Sequence, residues 1–176
     1  GLGREGTHLV KVLSACHQLE QLDLSDIQLG QNGAVILSQS LKFMPRLRVL
    51  NLDGNSIGLE GIRSLAALLV QCTRLEELQL GRTSLGDEGS VALSQCLTSL
   101  PNLRILNLDG NSIGSDGVRS LAAVLPQCHE LEELHLSATL RSTGKDRSIL
   151  LSALKYFEDW KVLDLFRKTE GRTLKA

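Results

Sequence analysis

Leucine recurs along this chain in a fixed frame, L-x-x-L-x-L, and the frame returns every 28 residues. It falls at Leu19, Leu22, Leu24; Leu47, Leu50, Leu52; Leu75, Leu78, Leu80; Leu103, Leu106, Leu108; and Leu131, Leu134, Leu136. An altered copy follows at Trp160, Leu163, Leu165. Within each frame the last two leucines are two apart, so both face one side of a short strand. Residues 47–74 show the rest of the unit. Val49, Asn51 and Asp53 point away from the leucines. Gly58 and Gly61 open a turn, and Ile62, Leu65, Leu69 and Cys72 follow at helical spacing. One strand and one helix cannot bury their own apolar faces, whereas stacked copies bury a continuous core. The pattern therefore predicts an α/β solenoid. Its six parallel strands, led by residues 19, 47, 75, 103, 131 and 160, line a concave face, and helices cover the convex side.

The copies come in two alternating types. Residues 47–74 and 103–130 agree at 20 of 28 positions, sharing L-D-G-N-S-I-G and R-S-L-A-A. The copies at 19–46 and 75–102 carry Ile27 or Thr83 where the first type has Asn55 and Asn111, and have Pro45 or Pro101 just before the next strand. An asparagine at that bend is expected to bond backbone groups of its own and adjacent coils that would otherwise be buried unpaired. This two-type alternation of 28-residue units resembles the ribonuclease-inhibitor class of leucine-rich repeats. The resemblance spans residues 2–166. That class includes ribonuclease inhibitor, the C-terminal regions of NOD-like receptors, Ran GTPase-activating protein and tropomodulin. It implies a leucine-rich-repeat horseshoe forming a single domain over 1–176. A partial repeat would occupy 1–18, full repeats 19–46, 47–74, 75–102, 103–130 and 131–159, and a C-terminal cap 160–176.

At the front, Leu2–Gly6 matches the L-G-x-x-G turn at 29–33, with one residue fewer before Leu9 and no strand ahead of it, so the chain is expected to begin inside a longer array. At the back, the pattern fails from Thr139, and Tyr156, Phe157, Trp160 and Phe166 gather there, with Trp160 at the leading-leucine position, as expected of a cap. A second regularity is electrostatic. The residue after each leading leucine runs Glu20, Arg48, Glu76, Arg104, Glu132 and Lys161. These are neighbours on adjacent parallel strands, so the signs alternate down the sheet and help to fix register and solubility.

Charge and cysteines narrow the function. A net charge of −1 gives no support for non-specific binding to nucleic acid or an acidic membrane. No apolar run approaches the length of a membrane span, and residues 1–15 do not form a signal peptide. Cys16, Cys72 and Cys128 lie 56 residues apart in a slot that Met44 and Leu100 fill elsewhere. They are packing residues, and two-repeat separations of roughly 10 Å exceed the reach of a disulfide. Reduced thiols without cysteine-rich caps imply a cytoplasmic protein.

Catalytic chemistry finds no foothold. His8, His17, His129 and His135 have no nucleophile or second metal ligand at useful spacing, and adjacent Cys128 and His129 diverge. Thr143-Gly144-Lys145 ends like a phosphate loop, but Thr139 stands where the first glycine belongs. Asp23, Asp53 and Asp109 lie on separate strands and are expected to be solvated surface. The chain is thus expected to be no enzyme and to need no cofactor or metal. The concave positions are polar, mildly acidic and nearly free of aromatics. The mixture suited to an anchor lies at the last strands, so Glu133, His135, Asp164 and Phe166 are the candidate partner-binding residues. The partner would be a protein or the rest of a larger chain, with the isolated segment a monomer. The resemblance implies a ligand-sensing and autoinhibitory region of a NOD-like innate immune receptor. A free-standing ribonuclease-inhibitor-like protein and a Ran GTPase-activating-protein-like regulator are the alternatives.

Overall fold

The computed structural model describes residues 12–136, 148–152 and 162–164. Strands and helices alternate along it: β1 (Gln21–Asp23), α1 (Gly30–Leu41), β2 (Val49–Asn51), α2 (Gly58–Leu69), β3 (Glu77–Gln79), α3 (Gly86–Leu97), β4 (Ile105–Asn107), α4 (Ser115–Val124), β5 (Glu133–His135) and β6 (Val162–Asp164). A 3₁₀ turn, Leu125–Gln127, follows α4 and contains Pro126. The six strands form one sheet in sequence order, and every neighbouring pair is parallel. The register carries each leucine onto its counterpart, Leu22 to Leu50 to Leu78 to Leu106 to Leu134 to Leu163. This is the leucine-rich-repeat solenoid that the spacing predicts.

The strand–helix alternation is a consequence of burial. Leu50, Leu52, Leu78, Leu106 and Leu134 are fully enclosed, as are Ile62, Leu65 and Leu69 from the helix that returns the chain. Cys72 is buried too, but α2 stops at Leu69, so Cys72 packs from the turn beyond the helix rather than from its stripe. Met44 and Leu100 enter the core at the same place in their own repeats.

Side chains reaching between coils explain the alternation of repeat types. The residue at the bend after each strand has a positive φ in all four interior turns: Asp26, Gly54, Arg82 and Gly110. A methyl group on Gly54 would overlap the carboxylate of Asp26 in the preceding coil, and one on Gly110 would press on the Arg82 side chain. A large residue in one coil therefore requires glycine in the next.

Candidate functional site

Two sets of polar side chains organise the ascending bends, and both act across coils. Asn55 is completely buried. Its Oδ1 accepts the Leu29 N–H at 2.9 Å, which lies at the start of α1 in the preceding coil. Its Nδ2 faces three carbonyls, Leu24 at 2.7 Å, Leu52 at 3.0 Å and Asp53 at 3.3 Å. Asn111 repeats the arrangement 56 residues on. Its Oδ1 accepts from the backbone of Thr83 and Leu85, and its Nδ2 faces the carbonyls of Leu80, Leu108 and Asp109. The expected role of the asparagine is thus realised, chiefly toward the coil before it.

The slot without asparagine behaves in two ways. Thr83 is buried and its hydroxyl donates to the Leu80 carbonyl at 2.8 Å. Ile27, in the equivalent position of the first full repeat, is 52% exposed. Sequence equivalence alone hides this difference between a working hydroxyl and an exposed aliphatic.

Concave side chains are less uniformly solvated than their composition suggests. Asp53 was expected to be surface; instead it is only partly exposed and ties three coils together. Its Oδ1 accepts the Gly81 N–H at 2.6 Å, and its Oδ2 accepts from Asn107 Nδ2 at 3.1 Å. Burial pushes its carboxyl above the ordinary value, opposed by the Gly81 N–H and by Arg82. Asp23, by contrast, accepts from the Ser25 backbone, which holds its carboxyl below the ordinary value. Asn51 and Asn107 each turn back to accept the backbone N–H two residues on, at Asp53 and Asp109. A signal for Asp53 was available in the sequence: Gly81 stands at its counterpart in the next repeat, and a methyl group there would meet the Asp53 carboxylate at 3.1 Å.

The charge ladder forms as expected at three of its steps, while Lys161 lies outside the described residues. Arg48 grips Glu76 with two hydrogen bonds, 2.8 and 2.9 Å, and reaches Glu20 at 3.8 Å. Arg104 pairs with Glu132 at 2.8 Å. Both pairs are substantially exposed, so they align coils rather than hold them together. Helix α4 is tied to its neighbour by Asp87, whose Oδ1 accepts the Gly114 and Gly117 N–H groups, each at 2.8 Å. That carboxylate serves as an N-cap supplied from the preceding coil. Beside it an open hollow is lined by Ser84, Gly86, Gly110, Ser112 and Gly114, and the capping role of Asp87 accounts for its polar wall.

Of the four candidate partner-binding residues, the structure describes the side chains of two. Glu133 and His135 lie two apart on β5, both about a quarter exposed, with His135 Nε2 3.5 Å from Glu133 Oε2. Asp164 is placed by its backbone, paired in register with His135. Phe166 and Trp160 lie outside the described residues, as do His8 and the segment from Thr139 to Lys145.

The four cysteines are unpaired, and Cys72, Cys96 and Cys128 are buried. Burial drives their thiols up, to about 11 for Cys72 and Cys128 and about 12 for Cys96. A thiol so buried and protonated is a poor nucleophile and metal ligand. Among the described residues, no group of three or more His, Cys, Asp or Glu converges as a metal site, and no helix is long and apolar enough to cross a membrane.

Comparison with known proteins agrees with this geometry. The Leucine Rich repeat family model matches residues 44–66, 71–94 and 95–122. No curated protein matches the chain. The matched stretches fall in the three interior coils that carry Asn55, Thr83 and Asn111, so the chain contains leucine-rich repeats, and repeats of this kind suggest a protein-interaction module.

Proposed function

We propose that this chain is the sensor segment of a cytoplasmic NOD-like innate immune receptor, recognising a ligand and restraining the receptor's nucleotide-binding module until that ligand arrives. The observation that carries the reading is the open concave sheet. Six strands stand in strict register, and the outward positions of the first five, from Gln21 to His135, are mostly polar and free of lysine and arginine. A wide, polar, mildly acidic surface suits a reversible protein contact better than a permanent one, because obligate interfaces are far more apolar. The alternation of repeat types supports the same family reading.

Contact is assigned to the C-terminal end of that face, at Glu133, His135, Asp164 and Phe166. Glu133 and His135 are half-buried and adjacent, so an incoming group meets an imidazole and a carboxylate already held together. The middle strands offer Asn51, Gln79, Asn107 and Asp53, several of which are already engaged with backbone or with one another.

The test is to titrate the protein onto a NOD-like receptor's nucleotide-binding module and follow ATP hydrolysis. Repression by the parent, lost in a folded His135→Ala, Phe166→Ala double variant, is the expected result. An unaltered rate, together with inhibition of a pancreatic-type ribonuclease, would replace this reading with the free-standing inhibitor. Stimulated GTP hydrolysis by Ran would replace it with the GTPase regulator.

A further inference from the structure

The cations of the described residues are divided unevenly. Arg48, Arg63, Arg82, Arg104 and Arg119 each sit within 4 Å of a carboxylate, at Glu76, Glu60, Asp26, Glu132 and Asp116. The remaining three, Lys42, Arg46 and Arg74, form no ion pair with any described residue, and all three are exposed. They are not scattered. All belong to the two consecutive turns that lead from α1 to β2 and from α2 to β3.

Arg46 and Arg74 occupy the same position of adjacent repeats, 28 residues apart, just before the paired strands β2 and β3, so their backbones are neighbours at roughly one strand spacing, about 5 Å, and their like charges share one end of the sheet. The contrast with the neighbouring row is sharp. Two residues further along, the ladder sets Arg48 against Glu76, whereas this row runs Gln18, Arg46, Arg74, Asn102, with no carboxylate until Glu130. Adjacent like charges cost stability, and neither arginine has a carboxylate partner among the described residues.

The same turns expose apolar surface. Val70 is 38% exposed, one of the few large aliphatics left open, and it stands one repeat after Lys42. Phe43 is partly exposed, with the Lys42 ammonium 5.0 Å from its ring centre and its carbonyl within hydrogen-bond distance, 3.2 Å, of the exposed His17 Nδ1. An aromatic and an aliphatic side chain thus belong to the same two turns as the three cations, at the end of the strands opposite the hollow at the ascending bends.

We infer that these turns form a second docking surface, for an acidic peptide segment of a partner protein that also carries apolar side chains. Its carboxylates would meet Lys42, Arg46 and Arg74, and its apolar residues would cover Val70 and Phe43. The apolar centre is what selects a peptide over a nucleic acid. A phosphate backbone is bound by a longer run of cations and has no group to set against Val70. The inference is independent of the receptor reading, since it uses none of the concave residues.

The experiment follows the fluorescence anisotropy of a fluorescein-labelled peptide of repeating Glu-Glu-Leu-Leu as the full chain is added at low salt. Saturable binding is expected. An Arg46→Glu, Arg74→Glu double variant should weaken it by about tenfold or more, since two exposed attractions become repulsions. Lys42→Glu alone should weaken it less. Val70→Ser should weaken it without changing its salt dependence, which a purely ionic surface would not show. Arg119→Glu, on α4, should leave it unchanged, and circular dichroism should match the parent throughout. Absence of binding by the parent overturns the inference, as does binding that survives the double reversal. Equal weakening by Arg119→Glu, or tighter binding of an all-glutamate peptide or of polyuridylate, overturns it as well.

Discussion

Replacing Asn111 by alanine should destabilise the interior coils by several kcal/mol, a size set by its buried partners. Asn111 Oδ1 is the acceptor for two buried backbone donors, Thr83 N–H at 3.0 Å and Leu85 N–H at 3.1 Å. Its Nδ2 brings two protons to the carbonyls of Leu80 and Leu108, at 2.6 and 2.9 Å. The residue is wholly enclosed, so water does not replace any of them. A buried donor left without a partner costs about 1–3 kcal/mol. The Leu80 carbonyl retains the Thr83 hydroxyl, so its loss is softened. The two orphaned N–H groups together give about 2–6 kcal/mol, against the 5–15 kcal/mol typical of a whole domain. Asn55→Ala orphans one N–H, that of Leu29, and should cost less. Asn111→Asp should be no better than alanine, because a carboxylate keeps the acceptor but turns a second oxygen toward three carbonyls. Equilibrium unfolding in urea, followed by far-ultraviolet circular dichroism, gives the global loss. Amide exchange at Leu85 gives the local one, which matters because a solenoid can lose coils separately. A loss below about 1 kcal/mol with protection at Leu85 intact would refute the reasoning, since it would mean that the orphaned groups find other partners.

Four further outcomes follow from the same geometry. The raised carboxyl of Asp53 means that its ionisation costs native stability. The native state holds that proton longer, so stability contributed at Asp53 is present at low pH and is lost as pH rises from the ordinary aspartate value to the native one. Urea midpoints measured across that window should decline less steeply in Asp53→Asn. Asp87→Ala should lower stability by about 0.5–2 kcal/mol, because the Gly114 and Gly117 N–H groups lose their cap, and an unchanged urea midpoint would contradict this. Ser40→Ala should be neutral or stabilising, by up to about 1 kcal/mol, because the Ser40 hydroxyl is buried with no partner. A thiol reagent at mildly alkaline pH should modify only Cys16 quickly in the native protein and all four cysteines after denaturation, since the other three thiols are buried and pushed up to about 11 or 12.

The 28-residue spacing by itself determined the strands, their parallel order and the enclosed leucines, because burial of one face at period two allows a single register. It also determined the charge ladder, since residues one repeat apart must be neighbours once that register holds. It made the asparagine of the bend legible as a structural residue. What only the tertiary structure decided is where side chains meet across coils. That Thr83 supplies a buried hydroxyl while Ile27 lies half in solvent depends on what each bend packs against, which the common slot does not encode. That Asp53 is held by Gly81 and Asn107 rather than solvated depends on the depth of the concave face and on a partner 54 residues away. The unpaired cluster of Lys42, Arg46 and Arg74 could be seen only by subtraction, after every other described cation had found its carboxylate. Repeat spacing is a local property of the chain and is set by hydrophobic burial. Pairing of polar groups is a property of the gaps between coils, and those gaps exist only once the coils have stacked.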